Sequence, residues 1–364
     1  MEILKRQLKL NRLGRTKLMV SCIGLGGLGI LSKYDNTPDS SNLLINKALD
    51  KGINFIDTAR FYDDSEWRIG RAIKTRRSDC YLASKTMKRD YLSAIKELEQ
   101  SLKNLCTDHI ELYQIHHVQW EEELEKILSK NGALNALKDA KKQGIIDFIG
   151  ITAHIPNIAI NAIKTGEFDT IQLPYNPIDA KLFHKILLIA QKMDLGTIIM
   201  KPFAGGLLTT DPKLALRYIL EKKVSTIIPG MSTLEHLNMD ISVGYKIESL
   251  SKTEKRLLFN EAKLLGESFC RRCGYCLSEC PIGIQIPDIF RFERYLDVYK
   301  TGHWAKKQYF NVNPKANECI DCGNCEDICP YKLPIRAMLQ IAHQKLLQPI
   351  TEKEYAYHGV SIKD

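Results

Sequence analysis

The chain has 364 residues, more than one compact core usually takes, so two domains are expected. Hydrophobic residues make up 44% and charged residues 26%, which argues against a disordered chain, and no apolar run is long enough to span a bilayer. The formal net charge of +9 comes without a basic tract or interleaved aromatics, so nucleic acid is not an expected partner.

Leu4–Met19 alternates polar and apolar residues around Arg12-Leu-Gly14-Arg-Thr and reads as a hairpin plugging a barrel floor. Eight apolar runs come next: Cys22–Gly26, Ile53–Asp57, Cys80–Ser84, Ile110–His116, Ile145–Thr152, Thr170–Leu173, Gly196–Met200 and Val224–Pro229. Amphipathic stretches such as Asp39–Lys51, Tyr91–Leu105 and Pro177–Met193 separate them. Eight strands alternating with helices predict an α/β fold, a closed parallel (β/α)8 TIM barrel over residues 1–250. Gly24-Leu-Gly26-Gly27-Leu-Gly29 succeeds the first run, but no helix starts promptly after it and no ribose-binding acid is placed about 20 residues on. It reads as a loop, not a dinucleotide fingerprint. Leu234–Glu248 predicts a helix. Ser251–Leu265, opening on the capping box Ser251-Lys-Thr-Glu254, predicts another that joins the barrel to the cysteine-rich C-terminal region.

Chemistry in such barrels gathers at the C-terminal ends of the strands. Those ends carry Asp57 with Tyr62 five residues on, then Lys85, then His116. A phenol, with a pKa near 10, is a poor acid at neutral pH unless a neighbouring ammonium favours its phenolate. Lys85 supplies the ammonium, Asp57 its counter-charge, and His116 a donor that orients a substrate oxygen. Taken singly, Asp57 could cap a helix, Tyr62 and His116 could be core residues, and Lys85 could face solvent. Together, in order on consecutive strand ends, they form a carbonyl-reducing set.

Eight of the eleven cysteines form two copies of C-x-x-C-x-x-C-x-x-x-C-P, ending at Pro281 and Pro330, the second 49 residues after the first. This spacing holds 4Fe-4S clusters in two-cluster ferredoxins, the fourth cysteine crossing to the other cluster. The expected ligand sets are Cys270, Cys273, Cys276 and Cys329, and Cys319, Cys322, Cys325 and Cys280. Zinc would need four ligands from two pairs, and disulfides an oxidising compartment. Met1-Glu2-Ile3-Leu4-Lys5 is not a secretory leader, so the expected location is the cytoplasm. The remaining Cys22, Cys80 and Cys106 read as buried small hydrophobes. Ile286–Tyr299 and Leu333–Leu347 are helix candidates after the two motifs, so residues 266–347 are expected to fold as a mostly helical two-cluster domain with pseudo-twofold symmetry. Residues 348–364 read as a surface tail.

Residues 1–250 resemble the aldo-keto reductases. The resembling pieces include Leu13-Gly-Arg-Thr, Asp57…Tyr62, Lys85, His116, Gly144-Ile-Ile-Asp-Phe-Ile-Gly150, Gln172…Asn176, Lys201-Pro202-Phe-Ala-Gly205-Gly206-Leu and Ile228-Pro229-Gly230-Met-Ser232. The resemblance implies a nicotinamide cofactor bound without a Rossmann domain, with Tyr62 as general acid. It makes Gln172 a partner of the nicotinamide amide and places cofactor phosphate contacts around Gly230 and Ser232. Where the family often has Ser-Asn, this chain has Thr152-Ala153-His154, so either Thr152 and His154 become the carboxamide contacts or the nicotinamide site is altered. Met200, with Lys201 beside it, stands where an aromatic often stacks, and His236 aligns with the basic residue often used for the 2′-phosphate, with Asp240 after it. The cofactor is therefore NADPH or NADH, with a flavin as the alternative converter between two-electron and one-electron chemistry. The expected partners are a small carbonyl or alcohol substrate and a ferredoxin or similar electron carrier. The alternative reading is a ferredoxin-linked redox module whose barrel holds a different cofactor or is a relic.

Overall fold

The computed structural model describes residues 7–31, 37–208, 210–266, 269–297 and 302–349. Residues 4–6 of the expected hairpin and 350–364 of the expected tail lie outside them. The chain divides into two compact units, residues 1–204 with 208–258, and residues 259–364 with 205–207.

In the first unit, strands β1 (Leu10–Arg12) and β2 (Met19–Ser21) pair antiparallel. The hairpin lies a few residues later than the alternation suggested. Leu13 and Val20, both fully buried, join Phe55, Ala83, Leu112 and Ile198 in one apolar cluster. Gly14 sits at φ +52, and a β-carbon there would collide with the backbone of Gly196. Only glycine admits that approach.

Eight strands come after the hairpin: β3 (Leu25–Gly26), β4 (Phe55–Asp57), β5 (Tyr81–Thr86), β6 (Ile110–Val118), β7 (Ile146–Ala153), β8 (Thr170–Pro174), β9 (Gly196–Met200) and β10 (Thr226–Ile227). Consecutive strands pair in parallel, and the bridges Ile23↔Ile227 and Gly26↔Gly230 join the first to the last. The sequence-predicted closed (β/α)8 barrel is the observed one. Leu25–Gly26, within the expected run Cys22–Gly26, is strand, and Gly27–Ile30 after it forms a single 3-10 turn.

Helices α1 (Pro38–Asp50), α2 (Ser65–Ile73), α3 (Tyr91–Leu105), α4 (Glu121–Leu128), α5 (Ala133–Lys142), α6 (Pro156–Lys164), α7 (Ala180–Lys192), α8 (Pro212–Leu220) and α9 (Leu234–Tyr245) surround the strands. The reasons are local. In α3 the Asp90 side chain accepts the Ser93 N–H at 3.0 Å, while Ala94, Leu98, Ser101 and Leu105 form its buried stripe. Each buried leucine contributes about 1.5–3 kcal/mol. The helix stops where Cys106 turns left-handed at φ 52. That turn leaves Cys106 exposed, contrary to the buried role expected for it, whereas Cys22 and Cys80 are buried. Helix α10 (Lys252–Gly266) opens as the expected capping box, with Ser251 N–H donating to Glu254 Oε2 at 2.7 Å and Glu254 N–H to Ser251 Oγ at 3.2 Å.

The second unit contains α11 (Ile286–Asp297), α12 (Gly302–Phe310), α13 (Asn324–Ile328) and α14 (Ile335–Leu347). Ile289, Phe290, Tyr309 and Leu339 make its core together with Cys276, Cys325 and Cys329. The 49-residue repeat is carried into backbone geometry. Gly274 and Gly323 have φ 86 and 83, and Arg272 and Asp321 have φ 55 and 58. Gly283 N–H bonds Cys280 C=O at 3.0 Å, as Lys332 N–H bonds Cys329 C=O at 3.1 Å. Among the described residues, no helix is long and apolar enough to cross a membrane.

Candidate active site and cluster centres

Strand pairing places Asp57, Lys85 and His116 at successive strand ends, because β4, β5 and β6 are parallel neighbours. Lys85 Nζ donates to Asp57 Oδ2 and to the Thr58 carbonyl, both at 2.6 Å. Gln114 Nε2 donates to the other Asp57 oxygen at 3.2 Å. Both charges are sealed from solvent, at 0% and 2% exposure. Burial draws Lys85 below its ordinary range and pushes Asp57 up, and each partner opposes the other's shift.

Tyr62 comes after β4 on a turn in which its N–H bonds the Ala59 carbonyl at 3.0 Å. Lys85 Nζ lies 5.1 Å from the centre of its ring. The His116 ring meets it edge-on at 5.6 Å. Burial pulls His116 well below the usual imidazole value, and the charges of Lys85, Arg89 and Lys201 add to that. Both effects favour the uncharged imidazole. Its Nδ1 is buried and has no partner. The four residues, read from three successive strand ends, thus share one location.

The expected cofactor contacts occupy the neighbouring rim. Thr152 and Gln172 pair across β7 and β8. Gln172 Oε1 is buried without a partner, an acceptor awaiting a ligand donor. Thr152 Oγ1 accepts the His117 N–H at 2.6 Å, so one of its lone pairs is used inside the protein. His154 is buried and packs on His117 with ring centres 4.5 Å apart. Lys201, the residue just past β9, sits in the left-handed region at φ 55, and its carbonyl accepts from Asn176 Nδ2 at 3.1 Å. Gly230 and Ser232 precede the first turn of α9, where Ser232 Oγ and His236 Nδ1 stand 3.1 Å apart. Unlike an arginine, His236 offers no fixed bidentate charge there. A helix N-terminus with glycine before it suits a phosphate. The residues present fit a nicotinamide dinucleotide.

His117 was not among the sequence-predicted site residues. Strict strand alternation points it away from His116, but the β6–β7 register shifts between Ile115 and Val118, and His117 has φ 56. The His-His doublet was the only sequence signal.

In the second unit, Cys270, Cys273, Cys276 and Cys329 line one cavity, with Tyr331 and Ile286 among its walls. The fourth thiol comes from the other motif, as the crossed spacing requires. Burial raises the Cys270 thiol to about 12, with charge on Cys273 and Cys329 adding to it. Cys325 rises to about 11 through burial, with Glu326, Cys319 and Cys322 adding. Asn324 Nδ2 donates to the Glu279 carbonyl at 3.4 Å, which brings the chain beside Cys280 to the second motif. Thiols spread around a cavity suit a cubane better than a single tetrahedral ion, and the donor set is all sulfur.

Residues 22–213 match the aldo/keto reductase family, and residues 269–334 match a 4Fe-4S dicluster domain. The Bacillus subtilis protein YqkF, described as an uncharacterized oxidoreductase, is 29% identical over 215 residues, 55% of this chain and 67% of that protein. L-galactose dehydrogenase of Arabidopsis thaliana is 26% identical over 306 residues, 71% of this chain and 95% of that one. The holo form of aldo-keto reductase AKR11C1 from Bacillus halodurans shares the fold with a TM-score of 0.61 at 23% identity, covering 70% of this chain and 96% of its own. With the family match extending over more than half of its length, the chain belongs to the aldo/keto reductase family, an oxidoreductase that also carries a 4Fe-4S dicluster domain.

Proposed function

We propose that the barrel reduces an aldehyde or ketone, or oxidises the corresponding alcohol, at Asp57, Tyr62, Lys85 and His116. The observation that carries this reading is the buried Lys85–Asp57 pair beneath the ring of Tyr62, with neutral His116 at its edge. When bound, the reduced nicotinamide supplies a hydride. His116 donates a hydrogen bond to the substrate oxygen and fixes the carbonyl. Tyr62 gives its proton to the oxygen as negative charge develops there. Lys85 eases departure of that proton, and Asp57 keeps the lysine in place. Gln172, Thr152 and His154 hold the nicotinamide end of the cofactor. Gly230, Ser232 and His236 hold its phosphate end, and Lys201 borders both cofactor and substrate.

The two cysteine sets hold two 4Fe-4S clusters, which supply one-electron transfer when present. Their partner is a one-electron carrier such as a ferredoxin. The cavity lined by Cys270, Cys273, Cys276 and Cys329, its fourth thiol drawn from the other motif, supports this assignment.

The test is anaerobic purification followed by assays on a panel of neutral aldehydes and ketones with NADH and NADPH. Turnover that Tyr62→Phe abolishes supports the reading. Turnover unaffected by that substitution sinks it. Bleaching of the iron–sulfur absorption by a nicotinamide would add that the clusters exchange electrons with the barrel chemistry.

A further inference from the structure

Tyr62 lies on an exposed turn. Phe61 and Asp63 on either side of it are exposed, and Asp63 is left-handed at φ 35. Four residues on, in the first turn of α2, Glu66 is fully buried. Its Oε1 accepts the Ser84 hydroxyl at 2.6 Å. Its Oε2 accepts Arg60 Nη1 at 2.7 Å and Asn104 Nδ2 at 3.2 Å.

These partners surround the acid-donating turn. Arg60 comes two residues before Tyr62, and its backbone N–H donates to the Lys85 carbonyl at 3.0 Å. Ser84 precedes Lys85 on β5. On the far side of the turn, Ser65 N–H donates to the Tyr62 carbonyl at 2.8 Å, and Glu66 is the next residue. One carboxylate therefore clasps the Tyr62 turn at both ends and ties it to the strand that carries Lys85. Asn104, near the end of α3, anchors the same carboxylate from a third element.

Packing alone does not call for this arrangement. Burying a carboxylate costs desolvation that an apolar side chain in the same space avoids. The charge adds direction, because guanidinium–carboxylate bonds are short and fixed in geometry. A proton donor needs that fixity, since a small misplacement of a reacting group slows the chemistry steeply. Burial works against the Lys85 ammonium, and the Glu66 charge acts with that of Asp57 to oppose its loss.

We propose that Arg60 and Glu66 are a positioning pair for the Tyr62 proton donor, holding its turn against β5 so that the phenol stays beside Lys85. The pair acts through Tyr62. This rests on the carbonyl-reductase reading and deepens it.

The test uses the full chain purified anaerobically, with benzaldehyde, butanal and butanone as substrates and NADPH and NADH as cofactors. The double variant Arg60→Met/Glu66→Gln removes the ion pair without leaving a lone buried charge. It should lower kcat by roughly 10–100-fold while leaving KM for the cofactor unchanged. Its solvent deuterium isotope effect on kcat should rise, because proton delivery becomes slower. Arg60→Lys, which keeps the cation but not the fork, should retain part of the lost rate. In a Tyr62→Phe background the double variant should cause no further loss. Should the double variant fail to fold, Ser84→Ala takes its place, removing one anchor of the carboxylate on β5, and should shift kcat and the isotope effect in the same directions. An unchanged kcat per folded molecule overturns the inference, as does an equal loss with and without the Tyr62 hydroxyl. Either result leaves the carbonyl-reductase reading standing. Turnover of none of the three substrates by the parent, or turnover indifferent to Tyr62→Phe, overturns that reading and this inference with it.

Discussion

Asp57 and Lys85 form an ion pair at 2.6 Å in which neither side chain reaches solvent. An ammonium buried in this way persists only with a counter-charge, and here the counter-charge also points it at the ring of Tyr62. Removing one partner leaves the other charged and buried. Asp57→Asn alone and Lys85→Met alone should each cost about 3–5 kcal/mol of stability, and the double variant should lose less than the two together. Urea unfolding of the four proteins measures this. Additive losses would show that the pair is not coupled.

Tyr62→Phe removes one hydroxyl from a half-buried side chain and should leave the melting temperature nearly unchanged. Carbonyl reduction should nevertheless fall by roughly 10²–10⁴, the contribution of a positioned acid. Steady-state kinetics beside a thermal melt separates the two effects. A loss of activity matched by a loss of folding would remove the case for proton donation.

His116 is held well below its usual value by burial and by the Lys85, Arg89 and Lys201 charges, so it remains neutral through mildly acidic pH. The rate of reduction should show no limb near pH ~6.5, the ordinary imidazole value. Burial also lowers Lys85, so its ammonium is lost before the ordinary lysine range is reached. The rate should therefore decline on the alkaline side below pH ~10.4. A kcat/KM profile checks both limbs, and a fall centred on the free imidazole value would contradict the first.

Asp240 lies on α9 at 1% exposure with both carboxylate oxygens unpartnered. Burial raises its pKa well above the ordinary value. The native chain then keeps a proton that the unfolded chain releases, so stability is fully present below the unfolded pKa of ~3.9 and declines as pH rises towards the folded value. Asp240→Asn should gain on the parent between about pH 5 and about pH 8. Denaturation midpoints at both pH values read this directly, and a constant difference would refute it.

Charge is divided unequally between the two cysteine motifs. Arg271, Arg272 and a single acid, Glu279, lie within the first, while Glu318, Asp321, Glu326 and Asp327 flank or lie within the second. Positive surroundings raise a cluster potential and negative ones lower it. The cluster proposed to be held by Cys270, Cys273, Cys276 and Cys329 should accept its electron first. Cys329→Ser should remove the higher-potential signal and Cys280→Ser the lower one in an EPR-monitored titration. The reverse assignment would exclude charge as the deciding influence.

Much of this molecule was legible in the chain itself. Buried parallel strands are written as continuous apolar runs, so all eight barrel strands could be read, as could α3, whose cap and stripe are local. The duplicated cysteine spacing specified its chemistry because ligand separation along the chain is imposed by the cluster. The Asp57, Tyr62, Lys85 and His116 set was visible because parallel strands carry like positions to one rim. Cys106 was misplaced because its exposure depends on a left-handed helix end that hydropathy does not record. His117 was missed because a bulge arises between strands, from register with β7, and no run of residues along β6 encodes it. Sequence alone determined the elements, their order and the residue types able to do chemistry. Tertiary structure decided which face each side chain presents, what it is buried against, and so which titratable groups share charge, because those depend on contacts far apart in the chain.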